Sequence, residues 1–354
     1  MADRPAGDHD PDQQHLHGPA DRGTDTGAPG AGTLAVLAVA WLLVMLSSLR
    51  QAVGTDAGDR ALTITRAALE LPQVISASLV TGVAVGLAAG NLLARFRPSV
   101  LIRPVRRLLI SGAAGAVTGL AVATPVLLGY EHLPSIAGIS TAIAVAALLG
   151  GLLSGIRHRV VVAAGTGATL AVFLVGLLEQ AFQGDLRVLF GAGTDPESVV
   201  AASGWVVLTA SLVAGAAAGV LSYLYLRRSG PSRLRWPAYL LAGAMPGLLV
   251  LAAEVVTRLG GARLFSLVSA ASVSDELVLS YFHAARINRA LIVLFVGALV
   301  AIFLLGRSLP SRPATDDPPS DDAPPTGSGP ADPPPTSPAD QPTSGDQRTT
   351  QPTN

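Results

Sequence analysis

Apolar residues in this chain come in long unbroken runs, and polar residues collect between them. A helix rises about 1.5 Å per residue and a bilayer's hydrocarbon core is about 30 Å thick, so about 20 apolar residues make one crossing. Eight runs meet or approach that length: Thr33–Leu49, Val74–Leu93, Leu108–Leu128, Ile136–Ile156, Val160–Leu178, Val199–Leu224, Ala238–Val256 and Ala290–Leu305. The first and last are the shortest. None alternates polar with apolar residues, as a membrane β-barrel strand would. Inside hydrocarbon every backbone group needs an internal partner, so the pattern predicts helices. The expected fold class is an all-α integral membrane bundle of about eight spans, rich in glycine.

Composition agrees with that pattern. Of 354 residues, 50% are hydrophobic and 14% charged, against about 25% charged in an ordinary soluble domain. Residues 1–32 and 309–354 are polar and read as disordered tails; the second holds 13 of the 26 prolines. That composition cannot bury enough apolar surface to fold alone. Net charge is zero, so nucleic acid is not an expected partner. Cysteine is absent, which excludes disulfides, thiolate metal sites and a cysteine nucleophile. All 24 basic residues are arginine, so a Walker-type lysine and Schiff-base chemistry are excluded too. Arginine alone, with abundant Ala, Gly, Val and Pro, reads as the coding bias of a high-GC bacterial genome.

Arginine placement predicts the threading. Three short links carry Arg95, Arg97, Arg103, Arg106 and Arg107; Arg157 and Arg159; and Arg227, Arg228, Arg233 and Arg235, with no carboxylate among them. The four opposite connections mix 8 arginines with 10 acids. By the positive-inside rule the arginine links and both termini face the cytoplasm of a bacterial plasma membrane. Arg50 and Arg289, on the other side, run against the rule, and Trp41 is oddly placed at mid-span. The acidic first 32 residues are unlike the short positive start of a signal peptide, so the first span reads as an uncleaved anchor.

Gly82, Gly86 and Gly90 lie four apart in "TGVAVGLAAG". A phosphate loop follows a strand and opens a helix into water; this stretch lies inside an apolar run and has no Lys-Ser/Thr partner. Residues four apart share one helix face, and small ones there let two backbones approach. Gly115 with Gly119, Gly151 with Gly155, and Gly215 with Gly219 repeat the spacing. "SLVTGVAVG" (78–86) resembles "SLVAGAAAG" (211–219), and Gly86 and Gly90 align with Gly151 and Gly155. These matches predict three tandem parallel helical hairpins, with spans two, four and six as copies and spans one and eight flanking them. Glycine-rich low complexity produces the same resemblance without duplication.

Few ionisable residues approach the spans. Glu254 stands late in span seven with Arg258 one turn on, in the favourable order for a helical ion pair. Glu179 ends span five, and Glu131 follows span three. One reading is interfacial salt bridges; the other is an outer vestibule that contacts a solute or cation, because charge near membrane depth is often functional. Pro125 and Pro246 are candidate kinks. Asn91, Thr118, Thr124, Ser154 and Ser211 are expected to bond backbone within or between helices. No histidine pair has ligand spacing, and no cofactor, metal or catalytic constellation is expected.

The segment 262–288 is apolar enough to touch lipid, but Asp275 and Glu276 would each cost about 3 kcal/mol at a span centre. It reads as an interfacial or re-entrant helix. "TDPES" (194–198) reads as a helix start capped by Thr194. Two functions remain open: a permease-like or channel-like protein for a small solute, or a non-catalytic membrane subunit that works through partner proteins or its own copies. The expected partners are lipid and, in the second case, protein.

Overall fold

The computed structural model describes residues 28–54, 60–96, 104–129, 136–156, 158–229, 234–271 and 273–308, with backbone alone at 52–54, 60–67, 263, 264, 267–271 and 273–279. Both predicted tails, apart from 28–32, lie outside these residues, as does Glu131. The helices are α1 (Ala31–Gly54), α2 (Arg60–Phe96), α3 (Pro104–Gly129), α4 (Ile136–Ser154), α5 (Arg159–Ala181), α6 (Gln183–Leu189), α7 (Pro196–Ser229), α8 (Trp236–Ala271) and α9 (Val273–Ser308). No strand occurs among the described residues. All but the short α6 contain a stretch long and apolar enough to cross a membrane. The protein is an all-α multi-pass membrane protein.

The helices outrun their apolar runs. The last span extends from Ser280 to Ser308, well before the Ala290 at which the apolar run begins, because Arg286 and Arg289 interrupt the run but not the helix. The 262–288 segment is correspondingly not one helix of its own. Residues 262–271 continue α8 and residues 273–288 open α9. The helix α7 begins at Pro196, one residue later than a Thr194 cap requires. There Ser198 Oγ accepts from the Gly193 N–H at 2.9 Å and donates to the Asp195 carbonyl at 2.7 Å.

Glycines place the helices. A methyl group at Gly115 would sit 2.5 Å from the Ala147 carbonyl oxygen and 2.8 Å from Gly151 Cα. One at Gly82 would overlap the Ala147 backbone, and one at Gly86 would collide with Ser154 and stand 3.3 Å from Gly151 Cα. So α4 is held at backbone contact by α2 on one side and α3 on the other. A second seam repeats this: Gly219 would meet the Gly297 carbonyl at 2.6 Å, Gly215 would meet Val296 at 2.8 Å, and Gly243 and Gly247 close on α9 from α8. Gly119 and Gly247 approach equivalent carbonyls, Ala144 and Ala290. Without a hydrophobic force between helices in lipid, such close approach supplies the packing energy.

These seams regroup the expected hairpins. The helix α4 packs on α2 and α3 and barely meets α5, while α9 packs on α7 and α8. Likewise α1 packs on α2 as α5 packs on α7. The arrangement is two four-span halves, α1–α4 and α5, α7–α9, in place of three hairpins. The match between 78–86 and 211–219 joins helices in equivalent places. The match of Gly86 with Gly151 does not: those glycines face each other across one seam, and both sides of a seam need small residues. Gly90 lies against the Arg159 guanidinium, not a helix backbone. Gly155 falls just beyond α4, where a methyl would stand 2.9 Å from Leu108 Cα.

The halves meet through α2 and α8, whose side chains, from Leu71 and Ile75 to Leu249 and Val256, share the main core. At the arginine end, Arg107 is buried and donates from Nε to the Gly155 carbonyl at 3.0 Å and from Nη2 to the Ile156 carbonyl. A guanidinium there satisfies carbonyls left over at the end of α4. Thr118, Ser154 and Ser211 donate to carbonyls of their own helices. Asn91 Nδ2 donates to the Ala28 carbonyl at 2.6 Å. Among cross-helix bonds, Thr81 Oγ1 reaches the Ala38 carbonyl at 3.0 Å, and Ser222 Oγ reaches the Ala242 carbonyl at 3.0 Å.

Candidate functional site

At the end opposite the arginine links, charged residues from three helices converge. Arg286 and Arg289 stand three apart on α9 and so share one face. Arg286 Nε is 3.3 Å from Glu254 Oε2 on α8. Glu254 Oε1 lies 3.6 Å from Arg258 Nε and 3.8 Å from His283 Nε2. Arg289 Nη2 lies 2.7 Å from Glu179 Oε2 at the end of α5. The helices α5 and α9 share little or no backbone contact, so this second pair spans a gap.

That gap is a cavity of about 450 Å³ lined by α1, α2, α5, α8, α9 and the first residue of α6. Its apolar part includes Trp41, Met45, Phe173 and Phe282, and its polar part Gln73, Ser76, Gln180 and Gln183 besides the charged pairs. Trp41 and Phe173 stack with centroids 5.5 Å apart at 15°. The mid-span tryptophan therefore belongs to the cavity wall. Pro72, also on the wall, lacks an N–H and leaves one carbonyl of α2 without its helical donor. Pro125 and Pro246 lie within helices that continue through them.

Glu254 is not a surface salt bridge. Its side chain is 6% exposed, while that of Arg258 is 52% exposed. Burying a carboxylate costs several kcal/mol, recovered only with good partners. Among the described side chains its partners outnumber it: within ion-pair distance, two carboxylates meet three guanidinium groups, with His283 beside them. The hydrogen bonding is also incomplete. Glu254 Oε1, His283 Nε2 and Arg286 Nη2 are enclosed without a hydrogen-bond partner. His283 is fixed edge-on to Phe265, centroids 5.0 Å apart.

No protein family model, curated protein or solved structure matches this chain. The geometry of the cavity alone carries its reading.

Of the sequence-level candidates, Glu254, Arg258 and Glu179 come together here. The packing glycines lie elsewhere, in the seams. Arg286 was missed and Arg289 was read only as an exception to the charge rule. The signal was present: two arginines three apart beside the last span, and two carboxylates at the ends of others, all near apolar surroundings where charge demands a partner.

Proposed function

We propose that this protein is a permease for a small solute, with the charged cavity as its recognition site. The supporting observation is the cavity itself. About 450 Å³ of space is within the usual range for small-molecule sites, which are mostly apolar with a few convergent polar groups. Its walls come from both four-span halves, where internal repeats place substrate sites in many transporters. By the positive-inside rule the cavity opens to the exterior of a bacterial plasma membrane and both termini are cytoplasmic. The proposed role is binding and passage, with no reaction on the solute.

The absence of cysteine makes the test direct. Single cysteines at Ser76 and Val172, with Asp195→Cys and Arg228→Cys as controls for the two ends, are exposed to an impermeant thiol reagent in intact cells and in inverted vesicles. A permease that alternates its access labels at Ser76→Cys and Val172→Cys from both faces. Labelling from one face contradicts transport and leaves a one-sided binding site. Protection from both faces supports the other role, a membrane subunit that acts through protein partners.

A further inference from the structure

We propose that the solute is an anion with an apolar or aromatic body, its negative group held by Arg286 and its body lying on the Trp41–Phe173 stack. The proposal rests on the solute-site reading above and adds the substrate class. Three observations carry it. Among the described side chains, the Glu254 carboxylate faces two guanidinium groups, Arg258 and Arg286, so positive charge exceeds negative around it. Arg286 spends only Nε on Glu254, at 3.3 Å, and lines the cavity with its side chain 24% exposed. A carboxylate or phosphate oxygen is the strongest partner for the remaining N–H groups of that guanidinium. Trp41 and Phe173, stacked 5.5 Å apart on the same cavity, offer an aromatic face to the remainder of the molecule.

Size limits the candidate. At about 30 Å³ per water, the cavity has the volume of roughly fifteen waters, enough for a small organic anion and too little for an entire two-chain lipid. A soluble organic acid and the headgroup of an anionic lipid share the chemistry, and the test separates them.

Trp41 is one of 3 tryptophans, so Trp205→Phe with Trp236→Phe leaves it as the only tryptophan reporter in the cavity. The full chain in phosphatidylcholine nanodiscs is titrated with 3-phenylpropanoate, 3-phenylpropanol and 3-phenylpropylamine, which differ only in the charge of one end. Saturable change of Trp41 fluorescence is expected with the anion at about tenfold or more lower concentration than with the other two, the size of one charge-assisted hydrogen bond. Arg286→Gln removes that preference. Glu254→Gln removes the resident competitor and tightens the anion about tenfold, a gain that misfolding cannot imitate. Phosphatidylglycerol nanodiscs weaken the anion's binding if a lipid headgroup is the natural occupant and leave it unchanged if the source is soluble. Equal or tighter binding of the alcohol or amine overturns the anion assignment while keeping the cavity as a solute site. No saturable change with any of the three overturns the assignment as well, and only the thiol labelling above then decides the fate of the solute-site reading.

Discussion

The two halves of the molecule use the same packing device and end differently. In the first, Gly82 and Gly86 on α2 and Gly115 and Gly119 on α3 close on α4; in the second, Gly215, Gly219, Gly243 and Gly247 close on α9. Counting from these seams, Val126 stands seven residues past Gly119 where Glu254 stands seven past Gly247. Ser140 and Ile143 precede Gly151 by the same steps as Arg286 and Arg289 precede Gly297. At equivalent places the α3–α4 seam thus carries uncharged side chains and the α8–α9 seam the charges that line the cavity. The shared features are architecture, and the unshared charges, which cost stability to bury, are where function is to be sought.

The largest test is on what is shared. Gly82→Leu and Gly215→Leu each force a side chain into a neighbouring helix, and overpacking costs 1–3 kcal/mol or more. Each is expected to lose about 3 kcal/mol, read as a fall in thermal midpoint in detergent or nanodiscs. Tolerance of one and collapse of the other breaks the equivalence of the halves. Next is Glu254→Ala, which leaves the half-buried Arg286 without its carboxylate and is expected to destabilise by about 3 kcal/mol, against about 1 kcal/mol for Val126→Ala. Equal losses in an unfolding series would remove the contrast. A smaller effect sharpens it further. Glu179→Leu, Glu254→Val, Arg286→Met and Arg289→Ile together make the charged end apolar, as Val126 and Ile143 are at their counterpart positions. Because apolar replacement of buried ion pairs is often neutral or stabilising, the combined variant is expected to unfold within about 1 kcal/mol of the parent while losing saturable anion binding. Smallest is Trp41→Leu, which removes the stack on Phe173 and is expected to cost about 1 kcal/mol, with weaker binding of aromatic anions than of aliphatic ones.

The fold was legible in the sequence because lipid imposes a coarse rule. About 20 apolar residues are needed per crossing, and each run from Thr33 to Leu305 proved to lie within a span except Ile136–Ile156, which overruns its helix by two residues. Helix ends were less legible, since apolarity stops at Arg289 while the helix does not. The grouping was misread for a specific reason: Gly86 and Gly151 resemble each other as opposite sides of one contact, and local sequence does not distinguish a partner from a copy. The site was half legible. Glu254 and Arg258 are one helical turn apart and could be paired by spacing. Glu179 with Arg289, and Glu254 with Arg286, are brought together only by the packing of α5, α8 and α9.

The most direct measurement uses two valines in equivalent places, Val250 on the cavity wall of α8 and Val122 on α3, three residues past Gly119 as Val250 is past Gly247. Each is replaced by cysteine in the otherwise cysteine-free chain, and the rate of modification by an impermeant thiol reagent is followed in intact cells. The account predicts that Val250→Cys reacts and is protected by 3-phenylpropanoate, while Val122→Cys stays inert. Equal reaction at both, or none at Val250→Cys, would contradict the claim that the α8–α9 seam ends in an open solute site and the equivalent α3–α4 seam does not.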